Sequence, residues 1–290
     1  MKIRFYLYTV LFFCTVFYGV SCGSEDDPVP DGNATQEPEP PKEPEPPKEY
    51  QLVWEDEFDG SELDLTKWNY ELGGRGWGNQ EKQYYTDRPE NLRVENGNLV
   101  IRALKENYQD HAYTSARITT KGKLAVKYGK IEARICLPPG RGTWSAFWMM
   151  PENSEYGGWP RSGEIDIMEH VGSDVRMISH AVHTQDRSGG NSWSFRKYLD
   201  NVESNYHVYS IEWLENADDG DDCITFYIDG EKSTTKWQAS DSYNAWPFNK
   251  EFYVILNLAL GGTWGGTIDD SIFDSPVEMM VDYVRVYQKR

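Results

Sequence analysis

Three carboxyl residues sit close together in the segment Trp159-Pro160-Arg161-Ser162-Gly163-Glu164-Ile165-Asp166-Ile167-Met168-Glu169-His170. Side chains alternate faces along a strand, so Glu164 and Asp166 share one face while Ile165 and Ile167 point the other way. Strict alternation would bury Glu169, which is untenable for a charge. One β-bulge at Ile167-Met168, where two apolar residues follow each other, returns Glu169 to the face of Glu164. The two glutamates are then about four strand steps apart, roughly 13 Å between Cα atoms. Side chains leaning together bring the carboxyls to about 5–5.5 Å, the separation of a retaining glycosidase pair. Crowded like charges raise at least one pKa, and one carboxyl kept protonated is what an acid catalyst of glycoside cleavage requires. Asp166, between them, can tune one by a hydrogen bond. A calcium-binding or merely solvated acidic strand is the competing reading of the row alone.

The elements that must carry this strand are other strands. Asn98–Leu104, Tyr128–Leu137, Ser145–Met150, His207–Trp213, Cys223–Ile228, Phe252–Leu260 and Val281–Tyr287 alternate or run apolar, with turn residues such as Pro138-Pro139-Gly140 and Asp229-Gly230 between them. Many short strands at punctuated intervals imply an all-β sandwich or jelly roll. One helical turn is expected over Ala245–Lys250, and no internal repeat is present in the domain.

The first 22 residues read as an export signal: Lys2 and Arg4, an apolar stretch from Phe5 to Val20, then small residues ending at Cys22. Residues 23–48 twice carry Glu-Pro-Glu-Pro-Pro-Lys and are too polar to bury a core, which suits an extended spacer. Residues 49–290 form the remaining domain and hold all 11 tryptophans of the chain. The net charge of −18 argues against nucleic acid as a partner, because phosphate contacts need basic surface. An aromatic content of 14% suits a neutral, ring-stacking ligand such as polysaccharide. Cys136 and Cys223 lie in strand-like runs, and their pairing stays open.

The carboxylate segment resembles the active-site signature of glycoside hydrolase family 16, in the bulged form Glu-x-Asp-x-x-Glu. Further blocks agree: Asp56-Glu57-Phe58-Asp59-Gly60 with Trp68-Asn69, Gly76-Trp77-Gly78-Asn79-Gln80-Glu81, Gln83-Tyr84-Tyr85-Thr86, Ser115-Ala116-Arg117-Ile118, Gly142–Pro151 and Val281–Tyr287. Several are similar to the laminarinase-type subgroup. Gly19-Val20-Ser21-Cys22 resembles a bacterial lipobox, and Ser24-Glu25-Asp26-Asp27 resembles surface-export signals of Bacteroidetes-type lipoproteins.

The family resemblance implies a β-jelly-roll sandwich of two antiparallel sheets with a concave substrate cleft. It implies Glu164 as nucleophile, Asp166 as assisting carboxylate and Glu169 as acid/base. It also implies Trp144, Trp148 and Trp159 as cleft aromatics, Trp264 on a substrate-binding loop at the cleft rim, Asn79, Glu81 and Arg117 as polar sugar contacts, and His183 at the cleft edge, where a structural role is the competing reading. Core packing of Trp148 and simple loop ordering by Asn79 and Glu81 are the competing readings. Ser145 and Gly265 stand where many relatives carry Pro after Trp. No cofactor is needed for catalysis; a structural Ca²⁺ on Glu57, the Gly97 backbone and Asp282 is implied, and oxygen ligands suit that ion. The expected partner is β-1,3-glucan, with mixed β-1,3/1,4-glucan also accepted. A galactan such as agar and a non-catalytic glucan-binding role are the alternatives. The protein is expected as a monomer, lipid-anchored at Cys22 to the outer membrane and surface-exposed, touching the membrane only through that anchor.

Overall fold

The computed structural model describes residues 50–217 and 220–289; the export segment, Cys22 and the spacer lie outside the described residues. In chain order the strands are β1 (Tyr50–Asp56), β2 (Asn69–Tyr70), β3 (Gln83–Tyr85), β4 (Leu92–Glu95), β5 (Asn98–Tyr108), β6 (His111–Ser115), β7 (Arg117–Thr119), β8 (Gly129–Cys136) and β9 (Thr143–Pro151). Then follow β10 (Glu164–Val171), β11 (Met177–His183), β12 (Trp193–Tyr198), β13 (Tyr206–Leu214), β14 (Cys223–Ile228), β15 (Glu231–Trp237), β16 (Phe252–Leu260) and β17 (Val277–Lys289). The single α-helix among the described residues is the short α1 (Gly262–Gly265).

Two sheets result. The larger runs β15-β14-β13-β8-β17-β5-β6-β3, with β1 on β17 and β4 on β5; the smaller runs β12-β11-β10-β9-β16-β7-β2. The expected all-β sandwich is thus present, with one departure from purely antiparallel pairing: β3 and β6 are parallel. The core lies between the sheets, where Phe147, Met149, Ile165, Ile167, Val254 and Leu256 meet Ile131, Ile135, Leu99, Ile101 and Val281 in one buried cluster. Burying each such side chain contributes about 1.5–3 kcal/mol.

Sequence alternation sets which residues the smaller sheet turns outward. In β9, Phe147 and Met149 are fully buried in the core, while Trp144, Trp148 and Met150 are only partly buried on the opposite, open face. All nine residues of β16, a central strand of the smaller sheet, are buried. Strands β2, β3, β4, β6, β7, β11, β12 and β15 have no counterpart among the strand runs read from the sequence. Ala245–Lys250 forms no helical turn; backbone hydrogen bonds from Ala245 and Trp246 to the Ser242 carbonyl close a turn just before it.

Cys136 and Cys223 are free and buried. They lie on β8 and β14, both neighbours of β13, opposite Tyr206 at one end and Leu214 at the other. Two strand spacings and most of the length of β13 separate them, far beyond disulfide reach.

Candidate active site

The expected bulge is present in β10. Against β9, Asp166 stands opposite Trp148 and Met168 opposite Phe147, so Ile167 is the extra residue. Against β11, Asp166 faces Ala181 and Glu169 faces Ser179, so Ile167 and Met168 together oppose His180. Ile165, Ile167 and Met168 are all fully buried. Glu164 and Glu169 therefore both emerge on the open face, partly exposed, with Asp166 buried between them. Gly163, immediately before the strand, has φ +90°, and a Cβ there would come within 2.8 Å of the Pro247 ring and 3.0 Å of Phe248. Only glycine allows the chain to enter β10 so close to that loop.

Each glutamate meets an indole. Trp159 Nε1 donates to Glu164 Oε2, and Trp144 Nε1 donates to Glu169 Oε1 at 3.1 Å. Burial and the Asp166 charge push Glu164 up to about 8, against the lowering influence of His183 and Trp159. Burial, Asp166 and Glu164 hold Glu169 well above the ordinary glutamate range, opposed by the Trp144 hydrogen bond and His183. His183 Nε2 lies 3.1 Å from Asp166 Oδ2 and 4.0 Å from Glu164 Oε1. Burial lowers the His183 pKa, but the Asp166 contact and the three carboxylates outweigh it and lift it to about 9. Its Nδ1 accepts the Gly189 N–H at 3.1 Å, so protonating His183 costs that hydrogen bond.

A polar network flanks the carboxyls on the β16–β7 side. One row across the open face reads Arg117, Asn257, Ala146, Glu169 and Ser179. Trp148 Nε1 donates to Asn257 Oδ1 at 2.7 Å, Asn257 Nδ2 to the Tyr85 hydroxyl at 3.2 Å, and that hydroxyl to Glu81 Oε2 at 3.1 Å. Glu81 also accepts from Gln83 Nε2 at 2.6 Å and from Asn79 Nδ2 at 3.4 Å. Burial raises its pKa, while these donors and Arg117 pull it down. The Arg117 guanidinium lies between two indoles, 4.6 Å from the Trp77 ring and 4.8 Å from the Trp148 ring, and its Nε bonds Glu71. Asn79 ties this loop to α1, because its carbonyl accepts the Thr263 N–H at 2.8 Å. Trp264, in α1, packs edge-on against Trp144 with centroids 5.6 Å apart.

The expected site residues Glu164, Asp166, Glu169, Trp144, Trp148, Trp159 and His183 thus gather on one face, and Asn79, Glu81, Arg117 and Trp264 join them through the contacts above. Trp148 belongs to the open face rather than the core. Glu81, nearly buried, serves as a hub of the network. Trp77, Gln83, Tyr85 and Asn257 belong to the same constellation and were not singled out from sequence. Asn257 carried a signal, being the one polar residue inside the apolar run Phe252–Leu260.

The expected calcium positions do not fit an ion. Glu57 is held by Arg285 through Nε–Oε1 at 2.6 Å and Nη2–Oε2 at 2.8 Å, and Asp282 by Arg134 Nη1 at 2.6 Å. Each guanidinium uses carboxylate lone pairs and sets a positive charge where a cation would need negative surroundings. Gly97 offers only backbone in the β4–β5 turn. A second trio, Glu164, Asp166 and His183, has donor atoms within 4.8 Å of one another. His183 has a raised pKa there, and a protonated imidazole has no lone pair to offer a metal.

A two-sheet β sandwich bearing three crowded carboxyls amid indoles is the arrangement of a carbohydrate-cleaving enzyme. Residues 79–285 match the family described as glycosyl hydrolases family 16, and the chain belongs to that family. It is 44% identical to a β-glucanase of Rhodothermus marinus over 254 residues, covering 82% of this chain and 85% of the relative. It is 39% identical to glucan endo-1,3-β-glucosidase A1 of Niallia circulans over 266 residues, covering 82% of this chain and 38% of that longer protein. The X-ray structure of the laminarinase from Rhodothermus marinus superposes with a TM-score of 0.78 at 42% identity, covering 83% of this chain and 98% of that one.

Proposed function

We propose that the protein hydrolyses β-1,3-glucan within the chain, with mixed β-1,3/1,4-glucan also accepted, and with retention of configuration. Glu164 attacks the anomeric carbon while Glu169 protonates the leaving oxygen. Glu169, now ionised, then activates the water that breaks the glycosyl ester. The observation that carries this reading is the pair of glutamates brought to one face by the bulge, where burial and the neighbouring Asp166 raise the pKa of both. The Glu164 carboxylate is steadied for attack by the Trp159 N–H, and Asp166 with His183 holds a compensating charge pair beside it. The indoles of Trp144, Trp148 and Trp159 offer faces for glucose rings, and the Asn79–Glu81–Arg117 network lines the glycone side. No step requires a metal or an organic cofactor.

Product analysis on laminarin, lichenan and agarose side by side tests the substrate. The expected result is oligosaccharides of intermediate length from laminarin, fewer from lichenan and none from agarose. Release from agarose alone would move the reading to a galactan. Binding to laminarin without any cleavage would move it to a capture role.

The segment 1–22 is read as an export signal lipidated at Cys22, and 23–48 as a spacer that holds the catalytic domain, a monomer, off the outer membrane at the cell surface. Lys2, Arg4, the apolar run to Val20 and the position of Cys22 support this. Cys22→Ser should release the protein from membranes without changing activity on soluble glucan. A variant that still pellets with membranes in high salt would exclude the anchor.

A further inference from the structure

On the buried side of β10, His180 is the residue that stands opposite the two bulged residues. It is fully buried in β11, with its ring 5.0 Å from the ring of Phe226. Its Nδ1–H donates to the Ile167 carbonyl at 2.6 Å. Ile167 has no register partner in either neighbouring strand, and its carbonyl, at the bulge, takes the side-chain hydrogen bond of His180. A bulge disrupts the ladder locally, and a side-chain donor that pairs a buried carbonyl there favours the bulged register over its alternatives. Slippage by one residue would turn Glu169 toward the core and Met168 toward the substrate face.

The imidazole is suited to this task. Burial lowers its pKa to about 4, so around neutral pH it carries one proton. That proton is on Nδ1, because the only contact of Nδ1 is an acceptor, while Nε2 has no partner. His180 is thus a fixed, uncharged donor that reaches across one strand spacing where an aliphatic residue would offer none.

We propose that His180 is the positioning residue of the acid/base: by capping the Ile167 carbonyl it locks the bulge and thereby aims the Glu169 carboxyl at the leaving-group oxygen. This rests on reading Glu169 as the acid/base. His180 touches neither substrate nor the reacting atoms and acts only through the backbone of β10.

The test compares two substrates, laminarin and a dinitrophenyl β-laminaribioside whose leaving group needs little protonation. His180→Leu keeps the volume apolar and removes the donor. On laminarin kcat should fall at least about tenfold with KM changed less than about twofold, whereas the first step on the aryl glycoside, read as the dinitrophenolate burst, should fall less than about threefold. His180→Asn, whose amide nitrogen can occupy the Nδ1 position, should recover most of the laminarin rate. Phe226→Leu, which loosens the same packing without touching the hydrogen bond, should lower thermal stability and leave the ratio of the two activities unchanged.

Glu169→Ala run in parallel separates the two ideas. If it lacks the leaving-group dependence, the role of Glu169 itself is wrong. If it shows that dependence and His180→Leu loses both activities equally or neither, the positioning role of His180 is overturned. Should His180→Leu not fold, the pair His180→Asn and His180→Gln decides, since the Gln amide reaches past the Nδ1 position: equal laminarin rates for the two overturn the proposal.

Discussion

Trp144 Nε1 reaches Glu169 Oε1 at 3.1 Å, so the same indole that offers a face to sugar also grips the acid/base through its edge. A hydrogen bond to a carboxylate favours the charged form and lowers the pKa. Trp144→Phe keeps an aromatic face but deletes the donor. Glu169 should then hold its proton to higher pH, and the basic limb of kcat/KM against pH should move upward. Loss of orientation should reduce laminarin turnover by about three- to tenfold, the size of one hydrogen bond near 1 kcal/mol. An unchanged basic limb would show that the indole does not govern the acid.

Glu169 is also a burden on the fold. Its pKa is raised in the folded protein, so the folded state favours the protonated form. That contribution is fully present below the ordinary value of 4.5 and is lost as pH rises toward the folded pKa. Glu169→Gln, neutral at every pH, should therefore change the melting temperature little at pH 4.5 and raise it by roughly 2–6 °C at pH 8, while abolishing hydrolysis of glucan. Calorimetry at the two pH values checks the sign; a variant less stable at pH 8 than the parent would contradict the shift.

The carboxylate strand was legible because the consecutive apolar pair Ile167-Met168 marks the bulge between Asp166 and Glu169. β11 was not, since Met-Ile-Ser-His-Ala-Val-His breaks alternation with polar residues whose partners are non-local. His180 is buried with the Ile167 carbonyl as its partner, and His183 is partly buried beside Asp166. β12 hid for a different reason: as an edge strand it carries exposed Ser194, Arg196 and Tyr198, which read as loop. The calcium assignment failed on partners too. Sequence displays the oxygens of Glu57 and Asp282 but not the Arg285 and Arg134 that fold against them.

Asn257 is the joint between the indole of Trp148 and the hydroxyl of Tyr85. Asn257→Leu nearly conserves volume and leaves both partners short of one hydrogen bond. Each buried polar group left unpaired costs about 1–3 kcal/mol, so urea unfolding should show a loss in that range, softened where water reaches the partly buried Trp148. Freed from its anchor, the Trp148 ring should lose its stacking on Arg117, and KM for laminarin should rise more than kcat falls. A stability change below about 0.5 kcal/mol would mean that the network contributes little to the fold.

The roles of Glu164 and Glu169 can be assigned without reference to any relative. Retention needs two displacements on opposite faces of the anomeric carbon. Glu164→Gly leaves a gap and no nucleophile, so hydrolysis should nearly vanish. Azide entering that gap attacks an activated β-glycoside from the nucleophile's side and should give the α-glycosyl azide. Glu169→Ala should behave differently. Its first step survives with an activated leaving group, water attack slows, and the covalent intermediate accumulates on Glu164. Azide then arrives from the side Glu169 vacated and should give the β-glycosyl azide. Proton NMR of the azide products distinguishes the anomers by their coupling constants, and the unaltered enzyme should release β-configured sugars first. Identical anomers from the two variants, or first release of α sugars, would require exchanging or abandoning the two roles.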